Sequence, residues 1–253
     1  MDSMESNSRR IMLTVAYDGT DYHGWQYQDN GKTIESELNK ALSTLLNEEI
    51  MVIGASRTDA GVHALCNIAV FDTKASIPAG KFAYALNQML PSDIRVRKSE
   101  EVAVDFHPRK VKTRKTYEYH IDCEEFPNPI KQRYSHFTYT PLNVSLMQQA
   151  ANDLIGQHDF TSFCSVNSTA LSPVRMITDI LVTQNGCDIV ISVTGNGFLY
   201  NMVRIIAGTL MEVGREKYPP EAVLAMLEQK DRTKAGPTAP ACGLILAKYE
   251  FDL

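Results

Sequence analysis

One order of elements, met twice along the chain, most constrains what it can fold into. Residues 11–17 are apolar almost throughout and read as a buried strand, closed by the turn signal Asp18-Gly19. Residues 33–46 read as a helix, with Thr33 as its cap and Ile34, Leu38, Ala41, Leu42 and Leu45 on one face. Strand-like runs follow at 50–53 and 65–72. A helix then runs from Ile77-Pro78 through Met89, and an alternating strand covers 94–97. That order is β-α-β-β-α-β, the ferredoxin-like unit. The second half repeats it. A strand begins at Val111, and Asn143 caps a helix that Gly156 closes. Strands over 174–183 and 187–193 are joined by an Asn185-Gly186 turn, a strong hairpin signal. An apolar helix spans 198–213, another starts at Pro219-Pro220-Glu221, and a closing strand covers 243–249. A short strand is expected within 134–139. The expected fold is α+β: two tandem ferredoxin-like halves, 11–107 and 108–253, after a disordered N-terminus over 1–10. Their mixed, mainly antiparallel sheet is expected to carry a central active-site cleft.

Two stretches carry charge in suggestive places. Gly54-Ala55-Ser56-Arg57-Thr58-Asp59-Ala60-Gly61-Val62-His63-Ala64 lies between two strands. A connection of this kind is a natural place to present a carboxylate. Its plain reading is a turn with a surface Arg57–Asp59 pair, worth roughly 0–1 kcal/mol. Its sharper reading makes Asp59 a nucleophile or general base, held ionised by a nearby cation. Arg204 lies inside the apolar helix, where it must reach water or pair with a carboxylate such as Asp59. Residues 107–119 hold Arg109, Lys110, Lys112, Arg114 and Lys115, with no acid before Glu118 and with aromatics at Tyr117 and Tyr119. This reads either as a charged, protected edge strand or as a phosphate-contacting strip suited to RNA. Tyr117 is placed to stack on a base. Tyr22-His23-Gly24-Trp25-Gln26 is either a core-capping loop or a ligand loop.

Composition narrows the classes. A chain of 253 residues that is 44% apolar can build a substantial core, and a formal charge of −5 argues against a general basic nucleic-acid coat but allows a local basic groove. The five cysteines are scattered without any C-x-x-C, which disfavours a disulfide scaffold or zinc ribbon and suits a reducing, cytoplasmic setting. The first ten residues lack a signal peptide's apolar core, and no run approaches the ~20 apolar residues of a membrane span. Gly31-Lys32-Thr33 mimics the end of a P-loop, but Gln26 stands where the first glycine is needed. Neither H-x-E nor P-C-x-x-C occurs, so a zinc deaminase is disfavoured.

Residues 57–64, Arg-Thr-Asp-Ala-Gly-Val-His-Ala, resemble the signature loop of the tRNA pseudouridine synthase A family. Gly24-Trp25-Gln26, Asp105-Phe106-His107, Tyr117-Glu118-Tyr119, residues 159–163, residues 195–204 and Gly243-Leu244 follow in the family's order. One departure is Ser56, where a glycine is expected. The resemblance implies an isomerase that converts uridine to pseudouridine at positions 38, 39 and 40 of the tRNA anticodon stem-loop. It needs no cofactor or metal, and it works as a homodimer with tRNA across both subunits. It implies that Asp59 is the nucleophile, that Tyr117 stacks on the uracil and assists proton removal from C5, and that Arg204 pairs with Asp59. Leu244 would line the pocket, and Arg57 would hold the flipped nucleotide or the gap it leaves. Backbone contacts would come from Arg109, Lys110, Lys112 and Arg114. Attack at ribose C1′, attack at uracil C6 and glycal-type elimination stay open. So do two non-catalytic readings, an RNA-binding protein and a tRNA-folding chaperone.

Overall fold

A computed structural model describes residues 8–166, 168 and 170–251. Residues 1–7 of the expected disordered terminus lie outside these. The chain forms two compact units, Met1–Lys112 with Phe251–Leu253, and Thr113–Glu250.

In the first unit the elements run β1 (Arg9–Tyr17), α1 (Ile34–Leu46), β2 (Ile53–Gly54), β3 (His63–Thr73), α2 (Phe82–Leu86) and β4 (Ile94–Val102). The strands lie in the order β4-β1-β3-β2, every neighbouring pair antiparallel. This is the ferredoxin-like arrangement. Ile11, Leu13 and Val15 of β1 are fully buried against Ile34, Leu38 and Leu42 of α1 and Phe82 and Leu86 of α2, which form the core. Thr33 caps α1 by accepting from the Ser36 amide, and Ser36 returns the bond to the Thr33 amide.

Strands β3 and β4 run beyond the expected 65–72 and 94–97, and three further boundaries differ from expectation, each for a local reason. Strand β1 starts at Arg9, because Arg9 and Arg10 reach Glu101 and Asp72 on the flanking strands. Strand β2 keeps only two residues, because Asn39 and Ser43 of α1 take the amides of Val52 and Ile50. Helix α2 stops at Leu86, where the Asn87 amide side chain pairs with both backbone groups of Val96.

The second unit contains β5 (Thr113–Asp122), β6 (His136–Phe137), α3 (Val144–Asn152), β7 (Gly156–Asp159), β8 (Val174–Asn185), β9 (Asp188–Gly195), α4 (Met202–Gly214), α5 (Ala222–Gln229) and β10 (Leu244–Phe251). Its strand order is β10-β5-β9-β8-β7, with β6 added in parallel to β5. Without β6, β7 and α5 this is again β-α-β-β-α-β. The β8–β9 hairpin pairs Asn185 with Asp188, so Gly186 and Cys187 form the two-residue turn, and Gly186 takes the positive φ of 60° that its first position needs.

Helix α4 is the core of this unit, buried at nearly every position from Met202 to Gly214. One of those positions is Glu212, beside the helix C-terminus, where a negative charge is disfavoured. Burial pushes its carboxyl up, but hydrogen bonds from Lys217 and Arg215 outweigh this and hold it below the usual carboxylate range. A depressed folded-state pKa stabilises the fold above the ordinary value of 4.5 and ceases to do so as acid titrates the group. In urea unfolding between pH 7 and pH 3, Glu212→Gln is expected to be less stable than wild type at neutral pH and to lose less on acidification. Parallel pH profiles would refute the assignment.

Candidate active site

Asp59 sits on the connection from β2 to β3, and the first unit holds that connection from below by hydrogen bonds. Asn67, fully buried on β3, uses its whole amide. Its Oδ1 accepts from the Ser56 amide at 3.2 Å and the Ile68 amide at 2.9 Å. Its Nδ2 donates to the Ser56 carbonyl at 2.9 Å and to the Tyr17 hydroxyl at 3.2 Å. The Tyr17 hydroxyl bonds the Thr58 hydroxyl at 2.7 Å, and burial pushes this phenol well above its usual pKa, so it stays protonated. Thr58 and Ser56 are thereby fixed on both sides of Arg57. Asp59 itself closes a turn, its carbonyl accepting from the Val62 amide at 3.1 Å. The turn leaves Asp59 partly accessible while Thr58 and Val62 are buried.

The Gly24-Trp25-Gln26 loop braces the same turn from the side. The Trp25 amide donates to the Thr58 carbonyl at 3.0 Å, and the Gly61 amide donates to the Tyr22 carbonyl at 3.2 Å. Gly24 adopts φ +87°, and a Cβ there would stand 2.7 Å from the Thr58 carbonyl oxygen. Trp25 is fully buried, with its indole packed over Gly54, so it belongs to the core, while His23 and Gln26 of the same loop are exposed. The loop also feeds α1, since the carbonyls of Gly24 and Trp25 accept from the Ile34 and Glu35 amides. His63 accepts from the Gly19 amide through Nδ1, at 3.1 Å.

Arg57 is exposed on the loop, and Arg109 comes to it from sequence 52 positions later. Arg109 lies in a turn over residues 108–110 and donates through Nε to the Gly54 carbonyl at 2.7 Å. Lys110 follows it, exposed. Desolvation and the positive charge of Arg57 lower the Arg109 pKa, partly opposed by Glu35. The basic stretch is divided between the two units. Strand β5 begins at Thr113, leaving Arg109, Lys110 and Lys112 in the first unit and Arg114 in the second, where it pairs with Glu250 at 3.2 Å.

The second unit carries Tyr117, Arg204 and Leu244. Tyr117, buried on β5, meets Phe198 edge-on at 5.2 Å between ring centroids. Arg204 stands in the first turn of α4, its Nε donating to the Ala239 carbonyl at 2.7 Å and its Nη1 to Asn201 Oδ1 at 2.8 Å. Tyr119 donates to the next carbonyl, Pro240, at 2.9 Å. Two side chains thus anchor the segment leading to Leu244, which is buried at the start of β10. Gly243 makes that approach possible, because a Cβ there would stand 2.8 Å from the His120 carbonyl oxygen and 2.9 Å from the Tyr119 ring. The 195–204 stretch is similarly tied, with Asn196 pairing through its side chain and its amide with the backbone of Met176. Residues 159–163 are structural: Phe160 and Phe163 are fully buried, and Ser162 accepts from the Asp231 amide. Asn67, Tyr17 and Tyr119 escaped sequence reading, since each looks like an ordinary strand residue.

Comparison with known proteins matches these features to one class. The family described as tRNA pseudouridine synthase matches residues 13–109 and 150–252. A tRNA pseudouridine synthase A of Thermoanaerobacter sp. (strain X514) is 48% identical over 244 residues, 96% of this chain and all of that protein. One from Acetivibrio thermocellus is 44% identical over 243 residues, and one from Ruminiclostridium cellulolyticum 47% over 245, each spanning 96% of this chain and all of the relative. The chain belongs to the tRNA pseudouridine synthase family and is an isomerase acting on tRNA. Among the described residues, no helix is long and apolar enough to cross a membrane.

Proposed function

We propose that this enzyme converts uridine to pseudouridine at positions 38, 39 and 40 of the tRNA anticodon stem-loop, with Asp59 as the nucleophile. The observation that carries the reading is the Asp59 turn: a partly accessible aspartate on a loop whose preceding residues Ser56 and Thr58 are hydrogen-bonded by the buried Asn67 and Tyr17. A plain connection needs no such bracing. The carboxylate type and its rigid mount suit a reaction that must hold one atom of a flipped nucleotide in place.

The chemistry is an isomerisation. The bond from N1 of uracil to ribose C1′ breaks, the base turns, C5 bonds to C1′, and the C5 proton leaves while N1 gains one. Atoms and electrons balance without an oxidant or a co-substrate. In this reading Tyr117 stacks on the uracil and assists removal of the C5 proton, Arg204 serves as cationic partner of the nucleophilic carboxylate, and Leu244 supplies apolar contact to the base. Arg57 holds the nucleotide or its vacated place. Arg109, Lys110 and Arg114 contact the RNA backbone, Arg114 after exchanging Glu250 for a phosphate. The working form is a homodimer in the cytoplasm.

Carbodiimide treatment followed by primer extension, on unmodified tRNA transcripts incubated with the protein, tests the position. Stops at positions 38, 39 or 40 are expected. Stops confined to another arm of the tRNA would replace the anticodon assignment while leaving the enzyme class intact. A molar mass of one subunit by light scattering, with and without tRNA, would remove the dimer.

A further inference from the structure

Among the cationic groups of the first unit, Arg57 and Arg109 are a pair that acts on each other while leaving donors unused. Arg9 bonds Glu101, Arg10 bonds Asp72 and the Phe106 carbonyl, and Arg95 bonds the carbonyls of Pro91 and Ile94. Arg57 makes no hydrogen bond or ion pair among the described residues, and Arg109 engages only Nε, on the Gly54 carbonyl. Both Nη groups of Arg109 and the whole fork of Arg57 are uncommitted. Glu35, whose charge acts on Arg109, does not close an ion pair with either arginine, and one of its oxygens accepts from the Tyr27 amide at 2.7 Å. Two guanidinium groups brought close without a carboxylate between them repel each other. The fold nevertheless fixes one of them to the strand end from which the other's loop departs. Planar forks of this kind match the oxygens of a phosphodiester in two-point fashion.

We propose that Arg57 and Arg109 together form one anion site that clamps a single phosphodiester of the RNA substrate, beside the nucleotide offered to Asp59. The inference rests on the RNA-modifying reading above and deepens it. It assigns the decisive backbone contact to a pair from two distant stretches of sequence rather than to the continuous basic run. Arg114 has no part in this clamp: it belongs to the other unit, and its Nε faces Glu250. A bound phosphate removes the repulsion between the two arginines and occupies their free Nη groups, and Arg109 transmits its position to Gly54, five residues before Asp59.

The test uses the full chain with Asp59→Asn throughout, so that RNA is bound but not turned over. The probe is a synthetic anticodon stem-loop in which one phosphodiester at a time is replaced by a neutral methylphosphonate. One linkage is expected whose neutralisation weakens binding about tenfold, and Arg57→Gln and Arg109→Gln should each shrink the penalty at that same linkage. With both substitutions the penalty should vanish, and the slope of log affinity against log salt should fall by roughly 0.7–0.9, the value for one phosphate. Penalties at two different linkages, a slope loss twice as large, or an unchanged slope would overturn the shared clamp. Arg57→Gln removes no intramolecular bond, so its result stands even if Arg109→Gln perturbs folding. If the Asp59→Asn protein binds the stem-loop at no salt concentration, the RNA reading itself fails, which is distinguishable from binding that ignores the two arginines.

Discussion

Asp59→Asn is expected to abolish turnover while leaving the protein folded and able to bind tRNA. The readout is tritium released from tRNA labelled at uridine C5. Asparagine has nearly the same shape, and the Val62 amide donates to the Asp59 backbone carbonyl, so it keeps its partner. What disappears is the carboxylate. If Asp59 supplies the nucleophile, no neighbouring group replaces it, and the rate should fall at least about a thousandfold, or roughly 4 kcal/mol of barrier. Binding should hold or tighten slightly, because a negative charge has been removed from the approach of a polyanion. Release by both proteins would remove Asp59 as nucleophile while keeping the enzyme. Release by neither would favour a non-catalytic RNA-binding or tRNA-folding role. Tyr117→Phe is a milder companion: it keeps the ring that meets Phe198 and removes only the hydroxyl, so it separates stacking from any part in moving the C5 proton.

The element order of both halves was legible because the physics behind it is local. Thr33 and Asn143 cap their helices from one position away, and the Asn185-Gly186 signal marks the β8–β9 hairpin because Gly186 takes the positive φ that the turn requires. What sequence reading misplaced depends on partners distant in the chain. Residues 50–53 look like a strand, yet the Ile50 and Val52 amides are taken by Ser43 and Asn39 of a preceding helix. The basic run looks continuous, yet a turn at 108–110 separates Arg109 from Arg114 and sends one to Gly54 and the other to Glu250. The same distinction governs the site. Asp59, Arg57 and Arg204 could be picked out as candidates from their charge and sequence surroundings. The groups that hold the Asp59 loop were not, because a buried asparagine in a strand carries no periodic signal. Its meaning lies in four partners spread over residues 17, 56 and 68.

That asparagine makes the second large prediction. Asn67→Ala is expected to destabilise the protein by roughly 3 kcal/mol, since it strips partners from buried polar groups and leaves a cavity. The Ser56 amide and carbonyl lose their bonds to the side chain, and the Tyr17 hydroxyl loses a donor, all at positions sealed from water. The effect on catalysis is separable from the effect on stability. Ser56 is three residues from Asp59, and Tyr17 reaches Thr58, the residue before it. A displacement of about 1 Å in a mounted catalytic group is sufficient for about a hundredfold loss of rate. Urea unfolding gives the stability, and turnover measured where the variant is at least nine-tenths folded gives the rest. Asn67→Asp sharpens the result: it keeps both acceptors for the Ser56 and Ile68 amides but loses both donors and buries a charge, so it should be no more stable than the alanine variant. If turnover per folded molecule stays at the wild-type value in Asn67→Ala, Asn67 supports the fold alone and the loop keeps its geometry through the Trp25–Thr58 and Tyr17–Thr58 bonds. If it falls with binding intact, the fully satisfied amide beneath the loop sets the position of the Asp59 carboxylate.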